Sequence, residues 1–269
     1  MNSKKLNIFL YIIINFSEIN PYICSMNNYK FYRRKYVLGD IHGYWSVILQ
    51  HLNHVDETET CYIQVGDFGI GFYDIEKEVD KLMRLNARLV EYNSDLFIIR
   101  GNHDNPIWFK ENEFKGIKEQ LTNIFFVPDY TVLNLDGENI LFIGGAVSID
   151  RVPRRMDGPG RSWWSDEVVK FDFDKVKEFR DIDRVICHTA PDFCQPLKFN
   201  QLVYDFATQD DKLLEDLKNE RINMTKLVTE IMNNNKIKSF VYGHFHNTYR
   251  FYHNNCEFLG LNINQFMQL

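Results

Sequence analysis

Four apolar runs in this chain end in glycine-bounded bursts of Asp, His or Asn. Tyr36-Val37-Leu38 leads into Gly39-Asp40-Ile41-His42-Gly43, and Cys61 to Val65 leads into Gly66-Asp67. Leu96 to Ile99 leads through Arg100 into Gly101-Asn102-His103-Asp104, and Ser239 to Tyr242 leads into Gly243-His244-Phe245-His246. A fifth run, Val185-Ile186-Cys187, ends in a lone His188. Short apolar runs of this kind read as strands, and polar side chains just past a strand's carboxyl end collect at one edge of a sheet. Several strands aiming metal-binding side chains at one place is the strongest constraint the chain carries, and it describes a two-metal hydrolytic site.

The segments between the bursts fit that geometry. From Tyr44 to Asn53 the apolar positions 44, 45, 48, 49 and 52 recur at helical spacing, and Asp74 to Tyr92 reads as a long amphipathic helix. The first hundred residues therefore read as β-α-β-α-β. From Thr131 the texture changes. Thr131 to Leu135 and Ile140 to Ile143 flank Asp136-Gly137 as a hairpin, and Thr248 to Tyr252 and Glu257 to Leu261 flank His253-Asn254-Asn255. A charged helix is expected from about Asp210 to Met232, and the second half is expected to be richer in antiparallel strands. The fold class is α/β, with two mixed β-sheets packed as a sandwich flanked by helices.

A length of 269 residues suits one large domain, and the net charge of -6 argues against bulk nucleic-acid binding. The cysteines, Cys24, Cys61, Cys187, Cys194 and Cys256, are odd in number and lack metal-site spacing, so they read as reduced core residues in a reducing compartment. At the N-terminus, Lys4-Lys5 precede an apolar stretch from Leu6 to Phe16 that is too short to span a bilayer. Ser17 to Cys24 offers no good pair of small residues for cleavage, and Met26 opens a compact lead-in to the first strand. Residues 1–25 are read as an apolar extension ahead of a single domain over 26–269; a cleaved signal or anchor and a packed N-terminal element are the alternatives. A cytoplasmic location is expected, with export or membrane association if residues 1–25 act as a signal or anchor.

Two divalent cations need mixed oxygen and nitrogen ligands, and a bridging carboxylate holds them about 3.5–4 Å apart. Such a pair generates hydroxide near neutral pH and neutralises charge on a phosphoryl group, so phosphate ester hydrolysis is the natural reaction. The ordered motifs G-D-x-H-G, G-D, G-N-H-D, an isolated His and G-H-x-H resemble the calcineurin-like metallophosphoesterase superfamily over nearly all of Tyr36 to Leu261. That resemblance implies a four-layer α/β/β/α sandwich. It also implies that Asp40, His42 and His246 bind one metal, that Asp67 bridges, and that Asn102, His188 and His244 hold the second. His103 matches the family's acid at the leaving oxygen, and Asp104 is expected to orient it. Two divalent ions are implied, Mn²⁺ first, with Fe, Zn or Ni as alternatives. The protein Ser/Thr phosphatase branch carries a second Asp and an Arg-Gly after the middle motif, whereas this chain reads Gly69-Ile70-Gly71, which points to the broader bacterial and phage members.

A basic and aromatic segment follows Gly144-Gly145-Ala146-Val147-Ser148-Ile149-Asp150, with Arg151, Arg154, Arg155, Arg161, Trp163 and Trp164 as candidate substrate contacts. Arginines take phosphate oxygens bidentately and a Trp face stacks a planar leaving group. The plainer reading is a surface loop closing the core ahead of a helix opened by Ser165 and Asp166, with Glu167 in its first turn. His51, His54 and His253 stand outside the motifs and read as structural or solvated. The substrate is expected to be a phosphate ester, whether small molecule, nucleotide or phosphoprotein. Phosphomonoesterase activity is the first reading, phosphodiesterase or nucleotidase activity the second, and a non-catalytic metal-binding scaffold a third of another class.

Overall fold

The structure is a computed structural model describing residues 30–55, 58–158 and 160–269. The extension expected over residues 1–25 lies outside the described residues. The first sheet holds β1 (Arg34–Leu38), β2 (Thr60–Gln64), β3 (Asp95–Ile98), β4 (Ile124–Phe126) and the chain's last strand, β11 (Phe266–Gln268), in the order β11-β1-β2-β3-β4. Its strands β1 to β4 are mutually parallel, and β11 closes the edge antiparallel to β1. Helices α1 (Ser46–Val55) and α2 (Ile75–Glu91) make the crossovers between the first three strands.

The second sheet runs β5-β6-β7-β8-β10-β9, with β5 (Thr131–Leu135), β6 (Glu138–Ile143), β7 (Arg184–Cys187), β8 (Ser239–Tyr242), β9 (Tyr249–His253) and β10 (Cys256–Gly260). Both expected hairpins form. Asp136 and Gly137 turn one at φ 56° and 79°, and Asn254 and Asn255 turn the other at φ 48° and 62°, the paired positive values that match hairpin twist. Between the hairpins the sheet departs from expectation, because β6-β7, β7-β8 and β8-β10 are parallel. Crossover segments rather than tight turns connect these strands, and they include α5 (Phe173–Glu178) and α7 (Leu213–Asn234). The described residues also form three short α-helices, α3 (Lys115–Lys118), α4 (Arg151–Met156) and α6 (Gln201–Ala207), and a 3-10 turn at Pro106–Phe109.

Strand alternation divides the apolar residues into three layers. Val37, Ile63, Phe97 and Ile99 of the first sheet face Ile140, Phe142, Ile186, Val241 and Leu259 of the second. Leu38, Tyr62, Leu96 and Ile98 turn the other way and pack under Ile48, Leu52, Leu82, Leu85 and Leu89 of α1 and α2. On the far side, Leu141, Val185, Phe240 and Tyr242 pack under Met224, Leu227 and Ile231 of α7. The result is the four-layer α/β/β/α sandwich, with each buried Leu, Ile or Phe contributing about 1.5–3 kcal/mol of transfer free energy. Cys61, Cys187, Cys194 and Cys256 are free and buried in these layers. Among the described residues no helix is long and apolar enough to cross a membrane.

Candidate metal centre

Both sheets present their carboxyl edges at the same end of the sandwich. Asp40 and His42 follow β1, Asp67 follows β2, Asn102 and His103 follow β3, His188 follows β7, and His244 and His246 follow β8. Ligand atoms of Asp40, His42, Asp67 and His246 lie within 4.8 Å of one another, and so do those of Asp67, His188 and His244. Asn102 joins the second group through its Oδ1, 3.0 Å from His188 Nε2. All seven expected ligands therefore converge, and Asp67 belongs to both groups.

The local backbone is built for this convergence. His42, Asp67, His244 and His246 sit at φ 43°, 55°, 67° and 53°, a left-handed conformation that costs a non-glycine residue roughly 1–2 kcal/mol. Two glycines admit the carboxylates. A Cβ on Gly101 would stand 2.1 Å from Asp67 Oδ1, and one on Gly243 would stand 2.2 Å from Asp40 Oδ1. His188 Nδ1 donates to the Val65 carbonyl at 2.8 Å, which turns Nε2 inward, 3.3 Å from Asp67 Oδ1. Asp40 accepts the His244 backbone N–H and lies 3.1 Å from His246 Nε2.

The electrostatics suit cations. Asp40 and Asp67 are fully buried. Burial by itself would raise Asp67, yet His188, His103 and His42 hold it well below the usual carboxylate range. Burial would lower His188, but Asp67 overrides it and pushes the imidazole up to about 9. His244 is held well below its ordinary value, first by burial and then by His188. The Nε2 atoms of His42 and His246 face each other at 3.1 Å. Nitrogens of two ligands on one cation at about 2.1 Å sit roughly 3 Å apart, so this separation and the mixed donor set fit a divalent ion.

The expected acid lies beside the clusters, but its expected partner does not serve it. The Asp104 carboxylate is fully buried and accepts backbone N–H groups from Phe68 and Gly101 on one oxygen and from Gly69 and Ile70 on the other. Four donors fill the acceptor capacity of both oxygens, so Asp104 ties the middle loop to the third motif instead of orienting His103. His103 is anchored through its backbone N–H to Asp67 Oδ1 at 2.7 Å, and the carboxylate near its ring is Asp150, 3.8 Å from Nε2. Burial lowers His103, against the pull of Asp67.

The basic segment divides. Arg154, expected at the substrate, is buried with all three nitrogens engaged: Ser162 O, Ser148 Oγ, Asn102 O and Glu167 Oε2 accept from it at 2.6 to 3.1 Å. Arg151 is taken up by Asp210 and Asp216. Arg155 lies over the Trp163 ring at 4.2 Å, and Arg161 is exposed. Trp164 is buried edge-on to Phe72 at 5.4 Å, and Phe72 stacks 6.3 Å from His103, so Trp164 borders the His103 side of the centre. The helix expected from Ser165 does not form. Glu167 is drawn into the core by Arg154, and its carbonyl accepts from Arg100 and from the Ala146 N–H.

The sequence pattern assigns no role to Ser148, Asp150 or Phe72. Ser148 accepts from Asn102 Nδ2 at 2.9 Å, and both Ser148 and Asp150 lie just past the carboxyl end of β6. Reading β6 as a parallel neighbour of β7 would have brought them to the site by the same edge rule that located the ligands.

The chain's relatives place this geometry in context. A family model described as calcineurin-like phosphoesterase matches residues 34–248. One crystal structure superposes with a TM-score of 0.52 at 12% identity, covering 88% of this chain and 98% of that one. Looser matches include the protein TT1561 of Thermus thermophilus, with TM-score 0.43 at 10% identity, covering 87% of this chain and 98% of that one. Phosphopantetheinyl hydrolase from Mycobacterium tuberculosis has TM-score 0.40 at 12% identity, covering 86% of this chain and 90% of that one. No curated protein matches the sequence.

Proposed function

The chain belongs to the calcineurin-like phosphoesterase family, and from that premise we propose that it hydrolyses phosphate monoesters at a dinuclear centre. Asp40, His42 and His246 would hold one cation, Asn102, His188 and His244 the other, and Asp67 would serve both. The observation that supports this reading is the membership of Asp67 in both ligand clusters. Divalent cations held there would supply Lewis acidity, lowering the pKa of bound water and offsetting charge on the phosphoryl oxygens. Mn²⁺ is the first candidate for this oxygen and nitrogen set, with Fe, Zn or Ni as alternatives.

The chain's own residues supply the rest of the reaction. His103 gives a proton to the leaving oxygen, and Asp150 stabilises the imidazolium form from 3.8 Å away. Asp67 holds the His103 main chain in place through its N–H. Phe72 and Trp164 pack in sequence beside the His103 ring and cover one flank of it.

The test is a pair of measurements on Mn-reconstituted protein. Turnover of p-nitrophenyl phosphate should exceed that of bis-p-nitrophenyl phosphate, and the reverse order would favour a phosphodiesterase. Asp67→Asn should lower bound metal, read by elemental analysis, together with the rate. If full metal content and full hydrolysis persist, the bridging role is wrong, and if wild-type protein binds metal but turns over neither ester, a metal-binding scaffold is the better reading.

A further inference from the structure

A cavity of about 430 Å³ is lined by Pro196, Phe199, Tyr204, Lys198, Lys218 and Arg221 among others. It falls within the volume range of small-molecule sites. Its walls come from the segment after β7, from α6 and from α7, so it shares the sheet edge that carries His188. Two contacts join it to the candidate ligands. The Arg221 guanidinium lies 4.8 Å from the Phe245 ring centroid, and the Phe245 ring lies 5.0 Å from that of His244. One aromatic ring therefore separates the cavity from the second cluster. The preceding residue of α7, Glu220, accepts from Thr189 Oγ1, next to His188, and from the Val147 N–H, next to Ser148, so the same helix turn braces the site and forms the cavity wall.

The lining has a definite chemistry. Lys198, Lys218 and Arg221 face one acid, Asp192, on a chain whose net charge is -6. Among the described residues neither the Lys198 nor the Lys218 side chain has an ion-pair or hydrogen-bond partner. Arg221 is buried, with Nε and Nη2 bonded to the carbonyls of Pro191 and Cys194. Phe199 and Tyr204 form an edge-to-face pair at 6.4 Å on the apolar wall. Cations left unpaired above an aromatic and aliphatic floor suit a ligand with an apolar or planar body and a negative charge.

We propose that this cavity binds the alcohol half of the substrate, which carries an aromatic or apolar body and a second anionic group, as a nucleoside bisphosphate does. The inference rests on the phosphoesterase reading of the neighbouring centre. One phosphate lies at the metal ligands while the second meets Lys198 and Lys218, and the body of the molecule crosses Phe245 onto Phe199 and Tyr204. The cavity sets specificity and leaves the chemistry of the reacting phosphate to the centre.

The experiment compares adenosine 3′,5′-bisphosphate, adenosine 5′-monophosphate and p-nitrophenyl phosphate on Mn-loaded wild type and on the double variant Lys198→Ala, Lys218→Ala. The bisphosphate should have the higher kcat/KM of the two nucleotides, and the double variant should lose tenfold or more for it while hydrolysing p-nitrophenyl phosphate as wild type does. Equal kcat/KM for both nucleotides, or an unchanged bisphosphate value in the variant, overturns the proposal. A second variant, Ile222→Trp, fills the cavity without removing charge and should impair the bisphosphate selectively; no selective loss counts against the site. If wild type hydrolyses none of the three, the reading of the centre fails separately. Calorimetric titration of the bisphosphate into metal-free protein then still decides the cavity, which is refuted if wild type and double variant bind alike.

Discussion

Asp104 and His103 are adjacent in sequence and do different things in the fold. Asp104 answers four backbone N–H groups with both oxygens, while burial pushes its pKa up to about 6 against those same donors. Asp104→Asn replaces one acceptor oxygen with a donor that faces N–H groups, so it should destabilise the protein by about 3 kcal/mol or more. A urea midpoint shift with an unchanged slope would register this, and a variant of wild-type stability but reduced kcat would return Asp104 to the orienting role. His103→Gln should instead keep metal content and stability and reduce kcat about 10²–10⁴-fold. The loss should be greater for phenyl phosphate than for p-nitrophenyl phosphate, since the poorer leaving group needs the proton more. The candidate ligands were legible at this scale, because each sits in a motif at a strand end. The partner of His103 was not, because Asp150 lies 47 positions away and only packing brings its Oδ1 to 3.8 Å.

Helix α7 shows how one element serves both the core and the site. Met224, Leu227 and Ile231 hold it against the second sheet, and Glu220 projects from it to tie the loops after β6 and β7. Burial pushes Glu220 up to about 7. An acid raised in the fold contributes stability below its ordinary value of 4.5, which is lost as pH rises through about 7, so the protonated form is the one the fold prefers. Glu220→Gln mimics that form and should be tolerated. Glu220→Ala orphans the Val147 N–H and should cost about 2–4 kcal/mol, with a fall in kcat from displacement of the loops carrying Ser148 and His188. Thermal unfolding and turnover of the two variants check this, and equal effects would refute it. The paired crossovers α1 and α2 and the two hairpins were readable from period and turn residues. Strands β4 and β11 were not, being three residues each at the sheet margins, where pairing rather than pattern makes the strand.

The molecule has a second polar cluster at the end opposite the centre. Glu138, at the start of β6, meets Arg184 at the start of β7, Lys238 just before β8 and Lys35 of the other sheet, so it clips the two sheets together. Burial would raise Glu138, but Arg184, Lys238 and Lys35 hold it down at about 2 against an ordinary 4.5. A depressed carboxylate stabilises the fold above pH 4.5, and that stability is lost as pH falls from 4.5 through about 2. Water screens the cluster, which keeps the effect modest. Glu138→Gln should be less stable than wild type at pH 7, and the gap should close on acidification. Parallel denaturation curves at pH 7 and pH 3 with an undiminished gap would show that the clip carries no charge-dependent stability.

By itself the sequence determined which residues could bind metal, their order along the chain and their delivery at strand ends, because periodicity and glycine punctuation are local properties of a chain. It also determined the sandwich class, since apolar runs too continuous for one solvated face need cover on both. Only the tertiary structure decided which neighbours each polar group keeps. Packing sheet on sheet brings His188 within 3.3 Å of Asp67 and closes Asp40 onto His246. The same packing draws Arg154 away from substrate and Asp104 away from the His103 ring by surrounding them with backbone groups that must be satisfied. A buried donor or acceptor takes the partner that burial supplies, and sequence spacing does not reveal which groups will be buried together.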